Sequence, residues 1–134
     1  MSEATVANIH RAATADSPEV DFRFDAHTLA LRGESYPENA AAFYAGLIGA
    51  LQEWLASLGN DVPVTVDIAL VYFNSSSTKM LFSLFDALNA AAKRGVRVVL
   101  NWHHDPEDDT IGEFGNELRD DFTALEFHDL PTTG

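Results

Sequence analysis

Apolar and charged positions alternate through VDFRFD, with Val20, Phe22 and Phe24 on one side. That is the period-two pattern of a half-buried strand. TLALRG follows across Asp25-Ala26-His27, and the two stretches together predict a hairpin. From GESYPEN onward the period changes. Phe43, Leu47, Leu51, Leu55 and Leu58 recur at helical spacing. Ser35 and Glu38 match a capping box, Pro37 suits a first helical turn, and Gly59-Asn60 supplies a stop. VPVTVDIALVYF is β-rich and nearly continuously apolar towards its end, which predicts a central strand covered on both faces. TKMLFSLFDALNAAAKRG then carries Leu81, Leu84, Phe85, Leu88 and Ala92 on one stripe, with Lys93-Arg94 in its last turn and Gly95 as C-cap. VRVVLNW predicts another buried strand. TIGEFGNELRDDF predicts a short helix with Ile111, Phe114, Leu118 and Phe122 inward, and ALEF an edge strand.

Strands alternating with helices predict the α/β class, with right-handed crossovers and a largely parallel sheet made mixed by the opening hairpin. The expected architecture is one domain of about five strands and about three helices. It spans residues 20–127, after a flexible lead (1–19, small and polar) and before a frayed tail (128–134). A chain of 134 residues supports one core.

Composition narrows the function classes. The 21 acidic residues outnumber the 8 lysines and arginines, for a net charge of −13. Such a surface opposes binding to nucleic acid or to an anionic membrane, both of which need basic side chains to displace counterions. With no cysteine, disulfides, thiolate chemistry and cysteine-based zinc sites are excluded. The first residues lack the apolar core and basic flank of a signal peptide, and no apolar run reaches membrane-spanning length. A soluble, cytoplasmic protein is expected.

Three stretches carry candidate chemistry. In VYFNSSSTKMLF, four consecutive hydroxyls, Ser75, Ser76, Ser77 and Thr78, stand where a central strand hands over to a helix. Open α/β sheets bind ligands at such strand ends. One N-cap accounts for one hydroxyl. A phosphate loop needs glycines and a lysine before its serine, and neither is present. Ser76 and Lys79 match S-x-x-K, the pattern of a serine nucleophile with a lysine base, but without its companion motifs. Beside a purely structural role, the remaining reading is phosphorylation, for which a helix N-terminus offers unpaired N–H groups and a positive dipole end to the added charge. NWHHDPEDD invites a metal held by His103 and Asp105, yet neighbouring histidines on a strand face opposite ways. Its acids suit the start of a helix. In GESYPEN, turn and cap chemistry explain Ser35, Pro37 and Glu38, while Tyr36 and Asn39 remain for a recognition rim.

GESYPEN before a helix, YFNSSSTK at a strand–helix junction and VLNWHHDPEDD after the next strand together resemble the SiaC family of regulatory phosphoproteins. The resemblance runs from about Asp21 to Phe127. It implies a STAS-like fold, of the anti-sigma-factor-antagonist type, and a non-enzymatic partner switch without a cofactor. A cognate Ser/Thr kinase would phosphorylate the hydroxyl after Asn74, here Ser75, and a PP2C-type phosphatase would remove the phosphate. The unmodified form would bind an effector, such as a diguanylate cyclase of biofilm signalling through cyclic-di-GMP. On this reading Asn74 and Ser76 shape the acceptor turn, and Lys79 is a charge partner. Tyr36, Glu38 and Asn39 form the neighbouring docking rim. Ser76, Ser77 and Thr78 rank behind Ser75 as acceptors. The alternative is a small hydrolase using Ser76 and Lys79, or a metal on His103 and Asp105.

Overall fold

A computed structural model describes residues 6–58 and 62–132. In chain order the elements are β1 (Ile9–Arg11), β2 (Glu19–Arg23), a 3-10 turn (Phe24–Ala26), β3 (Thr28–Ser35), α1 (Ala40–Ala56), β4 (Val64–Phe73), α2 (Ser75–Lys93), β5 (Val98–His104), α3 (Asp109–Asp121) and β6 (Glu126–Pro131). The six strands form one mixed sheet in sequential order. β1, β2 and β3 pair antiparallel, and β3 through β6 pair parallel. The expected α/β class is present, with one strand more than anticipated.

That extra strand lies in the stretch read as a flexible lead. Ile9, His10 and Arg11 pair with Phe22, Asp21 and Val20, so the sheet starts before residue 20. At the other end β6 runs to Pro131, through residues assigned to the tail.

Sequential order with right-handed crossovers places all three connecting helices on one side of the sheet. Burial along β4 follows from this. Val64, Val66, Ile68 and Leu70 are buried, while Thr65, Asp67 and Ala69 between them are half-buried. The strand expected to be covered on both faces is therefore covered on one. Its continuous apolarity reflects Ala69, Val71 and Tyr72 on the open side rather than a second helical layer.

The core lies between that buried face and the helices. α1 contributes Tyr44, Leu47, Leu51, Trp54 and Leu55; α2 contributes Leu81, Leu84, Phe85 and Leu88; α3 contributes Ile111, Phe114 and Leu118. The stripes read for α2 and α3 face inward as expected. On α1 the stripe is rotated slightly, so that Tyr44 is fully buried and Phe43 only partly. α2 ends in a paired Schellman arrangement, with Val96 N–H donating to Ala91 O and Gly95 N–H to Ala92 O. Gly95 takes φ +113°, which a β-carbon would oppose. The Gly59-Asn60 stop lies outside the described residues.

Gly46 and Gly49 sit in the interior of α1, on exposed positions, with open space where a β-carbon would go. Replacing either by alanine is expected to raise stability by about 0.5–1 kcal/mol, through lower backbone entropy in the unfolded chain. Chemical denaturation checks this, and a lower midpoint would contradict it.

Candidate phosphoacceptor site

The carboxyl ends of β3, β4 and β5 and the starts of α1, α2 and α3 all lie at one end of the sheet, because those strands are parallel. The hydroxyl run occupies the middle of that end. Asn74 leaves β4 extended (φ −90°, ψ 177°) and caps α2, its Oδ1 accepting from Ser77 N–H at 2.9 Å. Its carbonyl accepts both Thr78 N–H at 2.9 Å and Thr78 Oγ1 at 3.0 Å. Ser75 and Ser76 are the first two helical residues and are exposed. Among the described residues their N–H groups have no hydrogen-bond partner. An α-helix leaves its first N–H groups unpaired, and here the cap satisfies only the third residue.

The four hydroxyls thus divide sharply. Ser77 is fully buried and Thr78 is half-buried and bonded back to the cap, so neither presents itself to another protein. Ser75 and Ser76 do. The run is one cap, two exposed hydroxyls and two inward ones, a division that consecutive hydroxyls in a sequence do not reveal.

Ser77 leads into a buried chain of hydroxyls. Ser35 Oγ donates to Ser77 Oγ at 2.9 Å and lies 2.6 Å from the Tyr44 hydroxyl. Burial pushes the Tyr44 phenol up to about 12, against the opposing pull of its bond with Ser35, so it stays protonated at neutral pH. Ser35 was expected to cap α1 with Glu38. Instead it closes β3, and Asn39 is the cap, its Oδ1 accepting from Ala42 N–H at 3.0 Å. Pro37 lies before the helix. The capping-box reading fails because β3 runs on through Glu34 and Ser35, and an S-x-x-E spacing cannot tell a cap from a strand end.

Around the hydroxyl run the residues expected to form a rim fall into two groups. Glu38 and Asn39 share a groove of about 310 Å³ with Ser76 and Lys79, between the starts of α1 and α2. Tyr36 turns towards the other side and packs edge-on against Tyr72, with ring centroids 5.7 Å apart. Tyr72 and its neighbour Val71 were not singled out from the sequence. A register shift explains them. Gly33 pairs with Leu70 but Glu34 pairs with Tyr72, so Val71 is an extra residue in β4. Leu70 and Phe73 then face the helices while Val71 and Tyr72 both stay outside, 66% and 49% exposed. Bulges re-aim side chains in this way, and they recur beside functional sites.

Ser76 and Lys79 line one groove, but among the described residues no hydrogen bond joins them. His103 and Asp105 do not converge. His103 Nε2 lies 3.2 Å from Asp67 Oδ1 on the open face, and Asp105 Oδ1 accepts from Glu107 N–H. His104 turns the opposite way, its ring beside Gly112 of α3 and Nε2 2.8 Å from Asp129 Oδ1, off the angle of a hydrogen bond. Among the described residues no group of three His, Asp or Glu side chains is set to hold a metal ion. Asp108 caps α3, its Oδ1 accepting from Ile111 N–H at 3.1 Å. No helix among the described residues is long and apolar enough to cross a membrane.

The family model for SiaC family regulatory phosphoproteins matches residues 11–132. The chain belongs to the SiaC family. An uncharacterised protein of Pseudomonas aeruginosa strain UCBPP-PA14 is 30% identical over 127 residues, 92% of this chain and 99% of that protein. Two solved structures from Pseudomonas aeruginosa share the fold over nearly its whole length. Apo-SiaC is 29% identical with a TM-score of 0.83, over 94% of this chain and 99% of the other. SiaC bound as activator to the diguanylate cyclase SiaD is 30% identical with a TM-score of 0.84, over 92% and 99%. The three sequence stretches that carry the SiaC resemblance therefore lie at one end of the sheet, at the starts of α1, α2 and α3.

Proposed function

We propose that this chain is a non-enzymatic partner-switching regulator in which reversible phosphorylation of Ser75 governs binding to an effector. A cognate Ser/Thr kinase adds the phosphate, a PP2C-type phosphatase removes it, and the effector is a diguanylate cyclase of bacterial biofilm signalling, all in the cytoplasm. The observation that carries this reading is the place of Ser75: exposed, first in α2, directly after the Asn74 cap. A phosphate there meets two open N–H groups and the positive end of the helix, so its charge of roughly −1.5 to −2 is held without disturbing the fold. Lys79 stands one turn along as a charge partner.

A docking surface beside the acceptor is supported by the exposed Tyr36, Val71 and Tyr72. Aromatic residues fixed in one geometry are the usual anchors of protein interfaces. The structure of SiaC with SiaD supports a cyclase as the occupant. The phosphate is added three residues beyond Tyr72 in the chain, and a partner covering both would strip water from a strongly hydrated group.

Incubation with the cognate kinase and ATP is expected to add one phosphate by intact mass, and Ser75→Ala to prevent it. Retention of the phosphate in Ser75→Ala, with its position mapped to Ser76, would move the switch by one residue.

A further inference from the structure

Ser75 is exposed, yet its chain neighbours are tethered on both sides to one buried residue. Ser35 O accepts the N–H of Asn74 at 3.1 Å, just before Ser75. Ser35 Oγ donates to Ser77 Oγ at 2.9 Å, just after it. Ser35 and Ser77 are both wholly buried. The same Ser35 hydroxyl is anchored 2.6 Å from Tyr44 OH, itself fully buried in α1. The acceptor turn is thus bracketed by the end of β3 and braced against α1.

Phosphoryl transfer forms the bond between Ser75 Oγ and the γ-phosphorus of ATP as the bond to ADP breaks, and the hydroxyl proton passes to a base on the kinase. The three groups must lie nearly in line inside the kinase cleft. Ser75 is exposed in the folded domain, and how often its hydroxyl meets that alignment depends on how far its own turn can shift from the folded surface. We infer that Ser35 is a positioning residue whose two-sided clasp on Asn74 and Ser77, braced by Tyr44, sets how readily the Ser75 turn opens for modification. This rests on Ser75 being the acceptor.

The free energy of local opening sets how often a segment leaves the native surface. Removing the Ser35 hydroxyl leaves two buried hydroxyls, on Ser77 and Tyr44, without their shared partner, and favours the open turn. The Asn74–Ser35 backbone bond remains. The effect is local.

The test uses the unmodified full chain. Amide hydrogen exchange of Ser35→Ala is expected to quicken by roughly tenfold at Ser77 and Thr78, whose N–H groups are bonded to Asn74, with β4 and β5 unchanged. Tyr44→Phe keeps the ring and removes only the brace, and is expected to act in the same direction more weakly. With the cognate kinase and ATP, both variants are expected to take phosphate at Ser75 faster than the parent chain. Unchanged exchange at Ser77 and Thr78, a rise spread evenly over the domain, or slower phosphorylation in both variants overturns the clasp. If the parent chain takes no phosphate at Ser75, the acceptor reading fails, and the exchange arm still decides whether the clasp exists.

Discussion

Ser75→Asp is expected to weaken binding to the proposed cyclase effector by at least about tenfold while leaving the protein as stable as before. The two halves of this outcome have separate causes. A carboxylate at the first position of α2 sits at the positive helix end, where it contributes about 0.3–1 kcal/mol of stability. Thermal unfolding is therefore expected to occur at the same temperature or slightly higher. The same charge enters three residues after Tyr72 in the chain, and the proposed partner would cover the exposed Tyr36, Val71 and Tyr72. Stripping water from a carboxylate at a closing interface costs at least about 1–3 kcal/mol, more than the helix end returns. Ser75→Ala, with no charge, is expected to bind as the parent chain does. Tyr72→Ala is expected to lose binding for a different reason, since it removes a fixed aromatic anchor. Titration calorimetry with the effector checks all three. Full affinity in Ser75→Asp would leave phosphorylation without the switching role, and full affinity in Tyr72→Ala would place the docking surface elsewhere.

Gly115→Ala is expected to destabilise the domain by about 3 kcal/mol, through overpacking. A β-carbon at Gly115 would stand 2.6 Å from both Cδ1 and Nε1 of Trp102. That indole has no easy retreat. It is fully buried, stacked on Phe114 with ring centroids 5.6 Å apart, edged by Phe73 and Phe85, and held by its Nε1–H donating to Ile111 O at 3.1 Å. Either α3 lifts from the sheet or Trp102 gives up that hydrogen bond. The melting temperature is expected to fall by about 10 °C. Gly112 on the same helix meets only ordinary contacts, with the His104 ring 3.8 Å away. Gly112→Ala is therefore the matched control, expected to be neutral or mildly stabilising. Equal melting temperatures for the two variants would refute this packing account.

The two outcomes separate the scaffold from the proposed switch. Trp102 lies on β5, under the helical layer, and Phe73 against its edge directly precedes Asn74. Damage there removes the platform on which Ser75 stands. A change at Ser75 itself alters only what the platform offers to a partner.

Much of the scaffold was legible because its signals are local. The α2 stripe of Leu81, Leu84, Phe85 and Leu88 needs only helical geometry to be read, and Gly95 closes that helix by a conformation glycine takes freely. The α3 acids fell into place for the same reason, since Asp108 caps its own helix. The α1 start was misread because the cue was ambiguous. Ser35 matches a cap in spacing, yet pairing with Phe73 on β4 extends β3 through it. Pairing between strands is a long-range fact, and no local pattern reports it.

The sequence by itself determined the order of elements from β2 onward, the acidic surface and the strand–helix junction that carries the hydroxyls, because periodicity, charge and cap chemistry act between near neighbours. It also carried the SiaC family likeness, since those motifs are contiguous. Only the tertiary structure decided which hydroxyl faces whom. Ser75 and Ser77 are two residues apart, but the first turn of a helix sends one outward and the other under β3, to Ser35 and Tyr44. Only the register between β3 and β4, shifted by one residue at Val71, brought Tyr72 out beside Tyr36. Those two decisions belong to packing across the sheet, where the partners are distant in the chain.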